Sequence, residues 1–154
     1  MEISGPLQNV RHECERILRS LPAWFGIESA LLDYAQATER LPTFCAFAEG
    51  ALIGFISLEC LDANEWEVHC IAVREGRRDG GVGTALLNIA EAWARSQGAR
   101  SLIVKTLADS HPSLAYKASR AFYLSKGFAA EKIIPDIWGP SNPCLQMRKE
   151  LAPG

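Results

Sequence analysis

Apolar positions recur at helical spacing twice near the start of the chain. Val10, Cys14, Ile17, Leu18 and Leu21 form one stripe, with Asn9 as its N-cap and Pro22 as its stop. Leu31, Leu32, Ala35 and Thr38 form a second, from Glu28 to Leu41, ended by Pro42. The pattern predicts a helical part over residues 1–41, with no strand ahead of it. The period then changes. Thr43 to Ala48 and Ala51 to Cys60 are short apolar runs around a Glu49-Gly50 turn, which predicts a β-hairpin. Trp66 to Val73 reads as a third strand. Strict alternation puts Glu67, His69, Ile71 and Val73 on one face, and Trp66, Val68, Cys70 and Ala72 on the other.

A charged, glycine-rich loop from Arg74 to Gly83 opens the next helix. Val82, Leu86, Ile89 and Trp93 recur along it to about Gln97, and Gly98 stands where a C′ residue belongs. Glu91 and Arg95 have the spacing of an outward i,i+4 pair. Ser101 to Leu107 predicts a fourth strand. A further helix follows, with Leu114, Ala118 and Phe122 inward and Gly127 closing it. Phe128 to Ile134 and Cys144 to Lys149 are the last two strands, joined by a Pro-rich loop. The alternation of strands and helices predicts one α/β domain, a sheet with helices covering its faces.

Composition narrows the function classes. The chain has 154 residues, 48% hydrophobic and 22% charged, enough for one domain with a substantial core. A net charge of −2 disfavours a sequence-independent nucleic-acid binder, which needs a concentrated basic surface. No apolar run is long enough to span a bilayer, and the first residues lack the pattern of a secretory signal. The five cysteines form no CxxC pair, so neither a disulfide framework nor a zinc site is expected, and a reducing, cytoplasmic setting is.

The glycine cluster carries the most chemistry. Between a strand and a helix, Arg77-Arg78-Asp79-Gly80-Gly81-Val82-Gly83-Thr84 is placed to cradle a phosphate. Free N–H groups at a helix start favour anions, and glycines let the backbone approach the oxygens. It is not a P-loop, because no lysine follows a correctly spaced glycine. It is not the dinucleotide fingerprint either, because Leu86 occupies the third glycine position. It does satisfy [QR]xxGx[GA] from Arg78 to Gly83.

Three segments stand together: Glu67-Val68-His69-Cys70-Ile71-Ala72-Val73, the glycine loop, and Ala121-Phe122-Tyr123-Leu124-Ser125-Lys126-Gly127-Phe128. This combination resembles the GNAT superfamily of acetyl-CoA-dependent N-acetyltransferases, over residues 43–150. The resemblance implies a mixed central β-sheet flanked by helices. It also implies acetyl-CoA as co-substrate, an amine as acceptor and no metal, and it allows a homodimer.

By the same resemblance, Arg78, Asp79, Gly80, Gly81, Val82, Gly83 and Thr84 would hold the pyrophosphate. The backbone of Ile71, Ala72 and Val73 would pair with the pantetheine arm, a β-strand-like mode suited to uncharged amides. Tyr123 matches the family's tyrosine that assists the departing thiolate. A phenol with an ordinary pKa of about 10 can protonate a thiolate of about 8.5. Glu67 matches a strand glutamate that serves some members as general base, and His69 is an alternative base or a partner. Many members carry an asparagine where this chain has Tyr116, so the pantetheine contact falls to Tyr116 or Ser119. The acceptor pocket would draw on Trp24, Phe25, Tyr34, His69, Asp136, Trp138 and Asn142. A small primary amine is the leading acceptor, a protein or peptide amine the second. A non-catalytic acyl-CoA sensor is the alternative of another class.

Overall fold

In the computed structural model, which describes residues 1–153, seven strands form one mixed sheet in the order β1-β2-β3-β4-β5-β7-β6. The strands are β1 (Glu2–Leu7), β2 (Thr43–Ala48), β3 (Ala51–Cys60), β4 (Glu65–Val73), β5 (Ser101–Leu107), β6 (Ala129–Ile134) and β7 (Cys144–Glu150). The helices are α1 (Arg11–Arg19), α2 (Glu28–Ala37), α3 (Val82–Ser96) and α4 (Leu114–Ser125). Only β4 and β5 run parallel; every other neighbouring pair is antiparallel.

The N-terminal part is not wholly helical. Glu2–Leu7 is an edge strand on β2, with Ile3 opposite Ala46. Its apolar content is low and Pro6 interrupts it, so its pattern carries no strand signature. Asn9 is not the cap of α1: it lies at φ 62°, and Val10 takes the cap position with no side-chain bond.

Two cores sit on opposite faces of the sheet. Ile56, Leu58, Val68, Leu102, Val104 and Met147 pack against Leu86, Leu87 and Ala90 of α3. Cys45, Phe55, Cys70 and Ala72 pack against Cys14, Ile17 and Leu18 of α1 and Leu31 and Ala35 of α2. Gly54 of β3 lets α3 approach closely: a Cβ there would stand 3.1 Å from both the Ala72 carbonyl oxygen and Val82 Cγ1.

The helices depart from simple periodicity in four places. Ile89 is exposed, Leu114 is 80% exposed, and Ala118 is exposed as well. Tyr123 is the residue α4 buries. Glu91 does not face outward towards Arg95: it is buried, and Lys149 of β7 reaches it at 2.8 Å. A polar cluster lies over the β5–β7–β6 half of the sheet. There Arg148 joins Glu131, Glu65 and Ser101 into a charged network.

Candidate active site

The site begins with one extra residue in β4. Ser57 opposes Cys70 while Leu58 opposes Val68, so His69 is a β-bulge. The bulge reverses the alternation that the sequence predicts. Trp66 and Val68 join the α3 core, Cys70 and Ala72 the α1–α2 core, and Ile71 and Val73 pack towards α3. Glu67 and His69 therefore do not share a face with Ile71 and Val73.

The parallel pairing of β4 with β5 stops at the bulge. It runs from Glu65 opposite Ser101 to Val68 opposite Val104, and no further. Beyond that point β5 stays on β7 as far as Leu107, and β4 stays on β3. The two strands fork, and a cavity of about 730 Å³ opens between them.

Below the fork stands the N-terminus of α3. Gly81 caps it at φ 75°, ψ 12°, a left-handed conformation that disfavours any side chain. No side chain caps this end, and the first turn of α3, from Val82 to Thr84, stands ahead of the helix's own hydrogen-bond ladder, whose first bond is Ala85 N–H to the Gly81 carbonyl. Unmet donors at a helix start are an anion site by geometry and by dipole. Arg78, Gly81, Gly83 and Thr84 line the cavity. Gly80 does not, and the Val82 side chain is in the α3 core, so Val82 has only its backbone to offer. The Asp79 side chain lies outside the described residues.

Tyr123 projects from α4 into the same cavity and is 7% exposed. Burial pushes its phenol well above the ordinary tyrosine range, so it keeps its proton at any physiological pH. Cys70 also lines the cavity; burial pushes its thiol up, so it is no thiolate nucleophile. Glu67 is buried at the fork, 3.1 Å from Lys105 Nζ, and lies behind the cavity wall rather than in it. His69 is in the wall. Its ring meets that of Tyr34 at a tilt, 5.3 Å between centroids, and its Nδ1 stands 3.5 Å from Glu59. Burial holds the imidazole below the usual histidine range, against the pull of Glu59.

The α1–α2 segment closes one side. Trp24, Phe25, Tyr34, Trp138 and Asn142 all line the cavity. Asp136 does not: it is exposed on the β6–β7 loop. Tyr116 and Ser119 line the cavity too, but their hydroxyls are engaged. Tyr116 donates to the Trp24 carbonyl at 2.9 Å, and Ser119 accepts from Trp24 Nε1 at 3.0 Å. The Arg78 guanidinium lies 3.9 Å over the Trp24 ring.

Lys105 and Thr106 are among the lining residues that the sequence pattern does not single out. Lys105 is a lone charge beside the apolar run Leu102-Ile103-Val104, and that contrast is the signal that could have found it. Thr106 gives none. Its Oγ1 is buried with no hydrogen-bond partner, a state that costs about 1–3 kcal/mol unless a bound group completes it. Uncapped amides, a bare β4 edge and an orphan hydroxyl fit an elongated ligand with an anionic end and amide groups.

A family model for acetyltransferases of the GNAT family matches residues 11–128. The chain belongs to the GNAT family. GNAT members use acetyl-CoA for N-acyl transfer, and this chain is an acyl-CoA-dependent N-acetyltransferase by family. No curated protein matches it by sequence. Solved structures share its fold. A protein from Desulfovibrio desulfuricans assigned to the GNAT family is 19% identical at a TM-score of 0.82, covering 98% of this chain and 99% of that one. An aminoglycoside 6'-N-acetyltransferase complexed with coenzyme A is 21% identical at 0.76, covering 100% and 99%. The ribosomal-protein-S18-alanine N-acetyltransferase from Escherichia coli is 21% identical at 0.76, covering 99% and 95%. These neighbours act on different acceptors, so the fold leaves the GNAT acceptor of this chain open. Among the described residues no cluster of three or more potential metal ligands occurs, and no helix is long and apolar enough to cross a membrane.

Proposed function

We propose that this chain transfers the acetyl group of acetyl-CoA to the primary amine of a small molecule. The observation that carries the reading is the convergence of the uncapped α3 N-terminus, the unpaired β4 edge and the buried Tyr123 hydroxyl on one cavity. The amides of Gly81 to Thr84, with Arg78, would hold the pyrophosphate. The edge of β4 from Cys70 to Val73, which lacks a strand partner past the fork, would take the pantetheine amides. When bound, acetyl-CoA supplies an activated acetyl thioester.

Tyr123 assists the leaving group: its phenol keeps its proton and stands in the cavity, placed to donate a hydrogen bond to the departing sulfur. The attacking amine must be neutral, and an alkylammonium with a pKa near 10 needs an acceptor for its proton. Two groups can take that proton. One is Glu67, through a water; the other is His69, which burial keeps neutral. The walls of Trp24, Phe25, Tyr34 and Trp138 enclose the acceptor side, which favours a small molecule over a protein segment. Calorimetry with acetyl-CoA, followed by thiol release across an amine library, tests the reading. Saturable binding with amine-dependent release is expected; no binding at millimolar acetyl-CoA overturns it.

A further inference from the structure

We infer that the acceptor is a monoamine carrying a carboxylate on an apolar or aromatic body, of the α-amino acid type, and that Lys105 selects it. The inference rests on the acetyl-transfer reading above and deepens it.

Charge is the first observation. Among the described residues that line the cavity there is no aspartate or glutamate; the fixed charges are Arg78 and Lys105, both positive. The carboxylates closest behind the wall are already matched. Glu67 is held by Lys105 at 3.1 Å, and Glu59 by Arg40 at 3.8 Å beside His69 at 3.5 Å. Asp136, the other acidic candidate of the sequence, is exposed outside the lining. A polycationic acceptor would leave its second and third charges desolvated with nothing to meet them, which is discrimination by omission.

Lys105 supplies the second. It stands one residue past the fork, on the opened part of β5, with its side chain 27% exposed. An ammonium has three N–H donors. The bond to Glu67 uses one and fixes the stem, so two remain for an oxyanion in the cavity. A carboxylate there makes charge-assisted bonds of the strong kind.

The third is the wall. Phe25 meets Tyr34 edge-to-face at 5.6 Å, and Tyr34 meets His69 at 5.3 Å, so the three rings form a continuous aromatic surface in the same cavity as Lys105. Such a surface gives an apolar or aromatic side chain a large contact area, and the discrimination against several ammonium groups comes from the lack of lining carboxylates.

The reaction balances simply. The amine nitrogen bonds to the acetyl carbon, the carbon–sulfur bond breaks, and the nitrogen loses one proton as the sulfur gains one. The products are an N-acetylated amino acid and free thiol. Lys105 touches the acceptor carboxylate and takes no part in the bond changes.

The test compares acceptors that differ by one group. With saturating acetyl-CoA, thiol release is followed for L-phenylalanine, phenethylamine, spermidine and kanamycin. A preference for phenylalanine over phenethylamine of about tenfold or more in kcat/KM is expected from the charge-assisted contact. Lys105→Met should collapse that ratio towards one, and Lys105→Arg should keep most of it. Because Lys105→Met leaves Glu67 buried and alone, the Lys105→Met/Glu67→Gln double variant is run as well. The ratio of the two acceptors within one variant cancels losses of turnover. A higher kcat/KM for spermidine, kanamycin or phenethylamine than for phenylalanine overturns the inference, as does a ratio that survives loss of Lys105. Acetyl-CoA binding with no release from any of the four overturns it too, and leaves the cofactor reading standing. Failure to bind acetyl-CoA instead overturns the function itself.

Discussion

Trp24 Nε1 donates to Ser119 Oγ at 3.0 Å, joining the segment after α1 to the middle of α4. The same indole lies under the Arg78 guanidinium, and the same residue's carbonyl accepts from Tyr116. One residue thus fastens both helix-borne walls of the cavity and aims the basic residue of the glycine loop. Trp24→Ala is expected to weaken acetyl-CoA binding by about three- to tenfold, the worth of a partly exposed cation–π contact and its preorganisation. Trp24→Phe keeps an aromatic ring and should lose less. Calorimetric Kd values check both, and equal losses in the two variants would assign the effect to the hydrogen bond rather than the ring.

Tyr123→Phe removes a proton donor and almost no volume. A fall in kcat of about a hundredfold is expected, within the range for a positioned acid. Acetyl-CoA affinity should change little, since the ring remains packed on Phe122 and Phe128. Steady-state kinetics beside calorimetry separates the two; unchanged kcat would remove Tyr123 from the chemistry.

Gly81→Ala meets no atom within 4 Å, so sterics do not oppose it. Its cost is the left-handed backbone at φ 75°, about 1–2 kcal/mol. Urea denaturation should show that loss. If the chain relieves it by turning the amides of the α3 N-terminus, acetyl-CoA affinity falls with it.

Lys149 and Glu91 form a largely buried pair between β7 and α3, with side-chain exposures of 25% and 11%. Lys149→Met strands the Glu91 carboxylate and should cost about 3 kcal/mol, whereas Lys149→Met/Glu91→Leu should recover most of it. A double variant no more stable than the single would show that the pair stabilises the fold by its charges.

His69 predicts a pH effect with a definite sign. Its folded pKa is depressed by burial, so the unfolded chain binds more protons in the window below about pH 6.5. Stability therefore rises with pH across that window and falls as pH drops from 6.5 towards the folded value. His69→Gln should flatten this part of the profile, as read by thermal melts from pH 5 to 8.

Much of this molecule is readable as a string. The hairpin bounds, β5 and both glycine stops at Gly98 and Gly127 follow from local rules, and each rests on neighbours in sequence. The glycine loop reads as a helix start from its own residues, whereas Tyr123 stands out only through the family resemblance, since position alone does not separate it from an ordinary core tyrosine. What stays hidden depends on distant partners. Edge strand β1 exists because β2 offers it a ladder, not because Glu2-Ile3-Ser4-Gly5 is strand-like. Glu91 turns inward because Lys149 waits there. The faces of β4 cannot be assigned by counting in twos, since the count slips at His69 for reasons that lie in its pairing with β3.

That slip has a consequence for how the site can be lost. The fork between β4 and β5 begins where β4 carries an extra residue: His69 lies between Val68 and Cys70 without a partner on β3, and the ladder to β5 ends at Val68. Deleting His69 would restore plain alternation opposite β3 and remove the slip that coincides with the fork. The slip is a matter of residue count rather than residue identity, so a scan of single deletions tests it where a scan of substitutions does not.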